Sequence, residues 1–141
     1  MNAISRLVLL LVIVTVTGCN SDIVITKQLK TVKYKCVNIA PLSSEDPHVG
    51  QVLRDALEKE LIRRKINICD ENSATIFITG STFLTTRGSS SKTSQAIESV
   101  SLVGKDSNGN ILLSASYDNK NQYSASKLAK EFGSSIANKL K

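Results

Sequence analysis

Aromatic residues and histidine are scarce in this chain of 141 residues. It has no tryptophan, three tyrosines, three phenylalanines and one histidine, His48. So few aromatic rings provide no array of platforms on which nucleic-acid bases could stack, and the positive charges are scattered along the chain. A single histidine also leaves no second imidazole at zinc-ligand spacing. We therefore expect neither a nucleic-acid partner nor a metal site.

Motifs for catalysis are also lacking. A Ser-His-Asp triad could be assembled only by choosing freely among many serines, and the seven glycines form no phosphate-binding loop. Asp46, close to His48, is better explained as the cap of a helix that begins at Pro47. No two carboxylates occupy environments that would separate an acid from a base. We predict a protein that is not an enzyme, with no catalytic residue and no cofactor.

The longest apolar run occupies residues 7–16, LVLLLVIVTV, directly after Arg6. It is too short to span a bilayer, which requires about 20 residues, but it fits the apolar core of a secretory signal peptide. The run leads into Val16-Thr17-Gly18-Cys19, which resembles a bacterial lipobox. In lipobox families the cysteine thiol is diacylglycerated, the chain is cut before the cysteine, and the new amino group is acylated. The alternative is an uncleaved anchor that happens to end in cysteine.

Lipidation would make residues 1–18 a signal peptide, cleaved between Gly18 and Cys19, and leave a mature chain of 141 − 18 = 123 residues. Each buried methylene contributes about 0.8 kcal/mol, so two or three acyl chains hold a protein firmly where one does not. Asn20 follows Cys19 where enteric-type lipoproteins retained in the inner membrane carry aspartate. We therefore expect a lipid anchor in the periplasmic leaflet of the outer membrane, with the inner membrane as the alternative.

Two cysteines remain for the folded domain, Cys36 and Cys69, in predicted strands on either side of the first helix. The periplasm is oxidising, so disulfides persist there. A bridge would form if the two strands are neighbours in the sheet. The alternative is a pair of small buried hydrophobic side chains.

Periodicity predicts the order β-α-β-β-β-α within a single domain at residues 31–141, behind a lipidated tether at residues 19–30 with a few extended residues. The pattern indicates an α+β fold: a two-layer sandwich with a mixed sheet of four to five strands and two helices on one face. The expected strands are residues 31–39, 66–69, 74–84, 95–105 and 110–118, with a polar loop at 85–94 and helices starting near Pro47 and Ser124.

Helices can cover only one face of this sheet, whereas the strands have apolar residues on both sides. Phe77 and Phe83 alternate with Ile76 and Ile78, and Ile97 and Val103 alternate with Val100 and Leu102. We therefore predict a partner surface formed by Phe77, Phe83 and Val103, which binds an envelope protein or a second copy of the chain. The alternative is that the segment around residues 23–25 folds back over this face.

The pattern of elements resembles a group of small periplasmic lipoproteins. The matching stretches are the lipobox, VNIAPL, VLRDALEKELIRR, ATIFITGS and DSNGNIL. The group includes the periplasmic domain of the curli secretion channel lipoprotein, the Pel polysaccharide secretion lipoprotein and the lipoprotein activator of penicillin-binding proteins, and the lipopolysaccharide-assembly lipoprotein is similar. The resemblance covers residues 31–141 and carries over no functional residue. The chain lacks room for the membrane hairpins of the curli channel and lacks the aromatic stretch that follows the cysteine in the lipopolysaccharide type.

The resemblance implies a non-catalytic, membrane-anchored accessory or scaffold in envelope assembly or secretion that acts through protein contacts of the sheet face. The alternative it leaves open is a lipopolysaccharide- or polysaccharide-handling lipoprotein that binds an anionic glycan. Arg87 and Lys92, in the predicted polar loop, would then contact the sugar.

Lipidation can be tested directly by mass spectrometry of the protein purified from its native host. We expect a mature chain that begins at Cys19 and carries acyl chains on its thiol and amino group. A Cys19→Ser variant removes the thiol and should keep the uncleaved signal sequence. An intact Met1 or an unmodified sulfur in the wild-type protein would contradict the lipobox interpretation.

Overall fold

The computed structural model describes residues 21–31, 34–89, 92–120 and 123–141. Residues 1–18, Cys19 and the predicted cleavage site lie outside the described residues. The elements, in chain order, are β1 (Ser21–Ile25), α1 (Lys27–Thr31), β2 (Val37–Ile39), α2 (Pro47–Arg63), β3 (Ile76–Ser89), β4 (Lys92–Lys105), β5 (Ile111–Asp118) and α3 (Ala125–Leu140). Within these residues, no helix is long and apolar enough to cross a membrane.

The predicted α+β architecture is confirmed. The five strands form one mixed sheet in the order β1-β5-β4-β3-β2. β2 pairs with β3 in parallel, and the other neighbours are antiparallel. The apolar sides of α2 and α3 join the inward side chains of the sheet in a single hydrophobic core.

Local sequence explains where the two long helices begin and which side they bury. The Asp46 side chain accepts a hydrogen bond from the His48 backbone N–H at 2.9 Å, which caps α2 ahead of Pro47. Ser124 caps α3 in the same way, accepting from the Lys127 N–H at 3.3 Å. The buried stripes that these caps position are Leu53, Leu57 and Leu61 in α2, and Leu128, Phe132, Ile136 and Leu140 in α3.

The N-terminal segment differs from the predicted tether. Ser21–Ile25 is the edge strand β1, paired with β5 from Ser21–Tyr117 to Ile25–Leu113. The side chains of Ile23 and Ile25 pack against the core, and the short helix α1 follows. The segment shows no helical period. Its two inward isoleucines extend the core beside β5, a contact with a distant strand that local sequence does not reveal. The ordered sheet therefore begins at residue 21 rather than at residue 31.

Two further segments differ from expectation. The predicted polar loop at residues 85–94 continues β3 and β4, with Arg87 paired to Ser94 and Ser89 to Lys92. Its threonines suit a strand, and the antiparallel ladder satisfies its backbone groups. Residues 66–69 form no strand but a single parallel bridge from Ile68 to Val37, which covers the outer edge of β2.

Register irregularities decide which apolar side chains reach the core. Between Phe83 and Leu84, one residue of β4 has no partner, because Phe83 pairs with Ser99 and Leu84 with Ile97. This extra residue reverses the alternation, so Ile97 is buried in the core rather than on the opposite face as predicted. A second irregularity at Lys105 and Ile111 leaves Leu112 unpaired in β5, so Leu112 and Leu113 are both buried.

A glycine inside a strand indicates either a bulge or a close approach to a neighbouring strand. At Gly80 the structure shows a close approach. A Cβ at residue 80 would collide with the carbonyl oxygen of Ser101 and lie 2.5 Å from Leu102 Cδ2. Glycine is therefore required for β3 to lie against β4 at this point.

The structure joins Cys36 and Cys69 in a disulfide with a Cα–Cα distance of 5.9 Å. The two residues are neighbours because Val37 bridges Ile68, which brings the start of β2 beside the segment that follows α2. The bridge closes a loop of 33 residues that contains all of α2. In the chain-entropy model a loop of this length stabilises the fold by about 3.7 kcal/mol.

Reduction should therefore lower the free energy of unfolding by about 3 to 4 kcal/mol. The measurement is urea unfolding of the wild-type protein with and without a reductant. A Cys36→Ala/Cys69→Ala variant serves as the control, because its stability should not respond to the reductant. Equal stability of the oxidised and reduced wild-type protein would contradict the prediction.

Candidate functional site

The face of the sheet opposite the helices, here called the uncovered face, is lined mainly by hydroxyl groups. Cross-strand rows run from β1 to β3, for example Asp22–Ser116–Ser101–Ser81. The prediction of an apolar second face is therefore only partly correct, because the bulges move Ile97 and Leu112 into the core. The side chains of this face that remain apolar are Val24, Phe77, Phe83, Val103 and Ile111.

Four of these apolar residues lie together and form what we call the apolar patch: Val24, Phe77, Val103 and Ile111. Ser114 separates Val24 from Val103 in one cross-strand row, and Lys105 separates Phe77 from Ile111 in the next. Val24 and Ile111 are more than half exposed.

Phe83, the third residue of the predicted partner surface, lies apart from the other two. It is six residues from Phe77 along β3, about 20 Å at the rise of a strand, and its ring is 59% exposed. The structure thus brings Phe77 and Val103 close together on adjacent strands but does not bring Phe83 to them.

The alternative in which the N-terminal segment folds back over this face is wrong for residues 21–31. β1 lies in the plane of the sheet, beside β5, and its inward side chains face the helices. Among the described residues, no segment covers the uncovered face.

A second surface is an open groove of about 490 Å³ between α2 and α3. Four basic residues line it, two from each helix, and we call it the cationic groove. Its lining residues are Ala56, Lys59, Glu60 and Arg63 of α2, and Ser124, Ser126, Lys127 and Lys130 at the start of α3. Sequence reasoning treated the basic residues as scattered because lysines some 70 positions apart do not reveal that two helices place them together.

Glu60 is the one carboxylate in the groove, and two arginines neutralise it. Its side chain is 7% exposed, and its oxygens accept from Arg63 Nε at 2.9 Å and Arg64 Nε at 3.0 Å. Burial raises the pKa of Glu60, but the hydrogen bonds and charges of Arg63 and Arg64 outweigh burial and leave the pKa below its usual value of 4.5. Glu60 is thus ionised near neutral pH.

Gly133 of α3 lets the helices meet at this carboxylate. A Cβ there would lie 3.0 Å from Glu60 Cγ and 3.1 Å from its Cβ. The stem of Glu60 therefore fills the space of the missing side chain, and its carboxylate points towards the arginines.

The groove lysines have no carboxylate partner among the described residues. Oppositely charged residues four apart on a helix can pair, which predicts Asp55 with Lys59 and Glu60 with Arg64. Asp55 instead bonds to Arg54 at 2.9 Å. The Lys127 ammonium lies 3.8 Å from the centre of the Tyr123 ring. The expected pair of Glu60 and Arg64 does form.

The residues that could suggest catalysis are not brought together. His48 is exposed in the first turn of α2. No group of three histidine, cysteine or acidic side chains is placed to hold a metal ion in the parts of the chain that the structure describes.

The fold is shared with a known protein. No protein-family model matches the chain, and no curated protein matches its sequence. Two solved structures of the PelC dodecamer from Paraburkholderia phytofirmans do match, one of them a single-substitution variant. One has a TM-score of 0.59 at 14% identity over 85% of this chain and 96% of PelC, and the variant has 0.56 at 15% identity over 74% and 86%.

This chain has a PelC-like fold. Among the families to which the sequence was likened, the Pel secretion lipoprotein is therefore supported at the level of the fold. The curli, penicillin-binding-protein activator and lipopolysaccharide-assembly lipoproteins are not supported by these matches. PelC itself is a dodecamer in both structures.

The ionised Glu60 should stabilise the C-terminal end of α2, where both of its arginine partners lie. Because its folded pKa lies below its unfolded value, this contribution is full above pH 4.5 and is lost as pH falls through the folded pKa. Glu60→Gln should lower the free energy of unfolding at pH 7 by about 1 kcal/mol, a small value because solvent screens the arginines. Urea unfolding of both proteins at pH 7 and pH 3 measures the difference, which should shrink at pH 3.

Glu45→Gln provides the control, since it removes an exposed carboxylate that has no ion pair among the described residues. Its effect at pH 7 should be within about 0.5 kcal/mol of zero. A wild-type advantage over Glu60→Gln that stays the same at both pH values would contradict the role of the ionised carboxylate.

Proposed function

We propose that this protein is a lipid-anchored accessory of envelope secretion, without catalytic activity, that assembles into a homo-oligomer through the uncovered face. Cys19 holds it in the periplasmic leaflet of the outer membrane. The observation that carries the proposal is the PelC-like fold over 85% of the chain, since PelC is an oligomer of twelve copies.

The apolar patch supports an interface on the uncovered face. Val24 and Ile111 expose more than half of their surface, and Phe77 and Val103 are half-buried beside them. Such side chains gain free energy when a partner removes them from water. The surrounding rows of serine and threonine would form a polar rim, as is usual for interfaces. A second copy of the chain is the partner we favour because PelC assembles with itself.

The secretion role is supported by the same fold and by the predicted export signal. The sequence directs the chain out of the cytoplasm through residues 1–18. The described residues contain no metal cluster, and the one histidine is isolated. A binding or scaffolding role therefore accounts for the chain better than a catalytic one.

The alternative of an anionic-glycan accessory was based on Arg87 and Lys92. Their backbones pair near the end of the β3–β4 hairpin, and their side chains are not among those that the structure describes. Neutralising both should abolish binding to an anionic polysaccharide if this alternative holds. A monomeric wild-type protein that shows such binding would overturn the oligomer proposal in its favour.

Oligomer formation can be tested by replacing part of the apolar patch. The wild-type protein in detergent should have the mass of several chains by light scattering, and Phe77→Ser/Val103→Asn should have the mass of one chain. The control is Val52→Ser/Ile62→Ser, which removes two similarly apolar side chains, each more than half exposed, from α2. It should keep the wild-type mass.

Circular dichroism of each variant checks that it remains folded. A wild-type protein that is monomeric at every concentration would contradict the proposal, and so would a folded Phe77→Ser/Val103→Asn variant that keeps the wild-type mass. If that variant does not fold, Ile111→Asn alone provides the test, because Ile111 is half exposed at the start of β5.

A further inference from the structure

We propose that the cationic groove binds the phosphate groups of anionic phospholipids in the leaflet that holds the lipid anchor. The groove would then be a second membrane contact, on the helix layer rather than on the uncovered face. This inference rests on the proposed function in one respect, the lipidation of Cys19.

The charge of the groove is carried by ammonium groups that have no carboxylate partner among the described residues, and the Lys127 ammonium lies over the Tyr123 ring. Glu60 balances one of the two arginines it contacts, and no carboxylate lies within 4 Å of Lys59, Lys127 or Lys130 among the described residues. Three lysines therefore face one open space of about 490 Å³. Like charges gathered in this way repel one another, and a bound anion would relieve that repulsion.

The groove also opens near the point at which the anchor enters the fold. Ser21 pairs with Tyr117 near the end of β5. Two residues later, Asn119 fixes the approach to α3, because its Nδ2 donates to the Tyr123 carbonyl at 2.9 Å and its Oδ1 accepts from the Tyr123 N–H at 2.7 Å. The chain thus enters β1 and begins α3 at the same end of β5.

This end of the domain lies close to the membrane when Cys19 is lipidated. Only Asn20 separates Cys19 from Ser21, and two steps of a fully extended chain span at most about 7 Å. Ser124 and Lys127, which line the groove, are at this end of the sheet. Electrostatic attraction to anionic lipids acts over a Debye length of about 8 Å at physiological salt, so a groove next to the anchor is well placed to use it.

The lining chemistry favours a phosphate on a lipid over an acidic polysaccharide. The groove offers flexible ammonium groups with two serine hydroxyls, which suit a compact tetrahedral anion. The Arg63 guanidinium is already held by Glu60. The Lys127 ammonium lies 3.8 Å from the centre of the Tyr123 ring beside the groove, so that face of the ring is not open to stack on a sugar.

The test measures the reactivity of individual lysines in the lipidated, full mature protein. The protein is reconstituted into vesicles of phosphatidylcholine alone or with about one third phosphatidylglycerol, an amount that gives a clearly negative surface. Acetylation of each lysine is followed by mass spectrometry. We expect acetylation of Lys59, Lys127 and Lys130 to slow at least threefold with phosphatidylglycerol and to recover in high salt. The internal controls are Lys35 and Lys139, both exposed and outside the groove and the apolar patch.

Two double variants that lose the same charge distinguish binding in the groove from general electrostatic attraction to the membrane. Lys59→Gln/Lys130→Gln should abolish the protection of Lys127, whereas Lys35→Gln/Lys139→Gln should leave that protection unchanged. Equal slowing of all five lysines in the wild-type protein would show non-specific adsorption and overturn the proposal. Unchanged reactivity of the groove lysines in phosphatidylglycerol vesicles would overturn it as well.

Further measurements identify the source of the anion and separate this proposal from that of the lipid-anchored homo-oligomer. In phosphatidylcholine vesicles, protection of the groove lysines by millimolar inorganic phosphate alone would indicate a site for free phosphate. Protection by polygalacturonate alone would indicate a glycan site. Either result contradicts a lipid site. The intact mass of the sample reports lipidation, and light scattering reports oligomer formation. A result against phosphate binding in the groove is therefore distinguishable from a result against lipidation of Cys19 or against oligomer formation.

Discussion

Two helices can bury only one face of a five-stranded sheet, and this constraint shapes the rest of the molecule. α2 and α3 cover the side of the sheet that contains Ile76, Ile78 and Leu102, and they leave the opposite side to solvent. The exposed rows of this side accordingly consist mainly of serine and threonine. Two register irregularities move Ile97 and Leu112 into the core. On this face of the sheet, the large apolar side chains that remain are those of the apolar patch and Phe83.

The two layers consequently present different chemistry on opposite sides of one small domain. The sheet layer offers hydroxyl groups and the apolar patch, which suit contact with another folded protein. The helix layer offers the cationic groove, whose one carboxylate is neutralised by Arg63 and Arg64. In the two proposals, one surface meets a neighbouring copy and the other meets the membrane. PelC, which shares the fold, is a dodecamer in its solved structures.

Much of the fold was predictable from local pattern. The cap Asp46 and the helical spacing of apolar residues predicted α2, and the same spacing predicted α3 from about Ser124, because a helix is a local structure. One residue of the predicted partner surface lies apart from the other two for a nonlocal reason. Phe83 follows the alternation of β3 correctly but lies about 20 Å from Phe77, and strand alternation gives only the face of a residue and not its distance from others.

Periodicity and short contiguous motifs were sufficient to predict the fold class, the element order from β2 to α3 and the lipid anchor. The packing of distant segments accounts for the rest. It recruited residues 21–25 as an edge strand and brought Cys36 to Cys69. It also gathered Lys59, Lys127 and Lys130 around one groove, although Lys59 lies 68 residues before Lys127 in the sequence. The physical reason is that such neighbours are chosen by the packing of helices on a sheet, which joins residues whose separation along the chain carries no local signal.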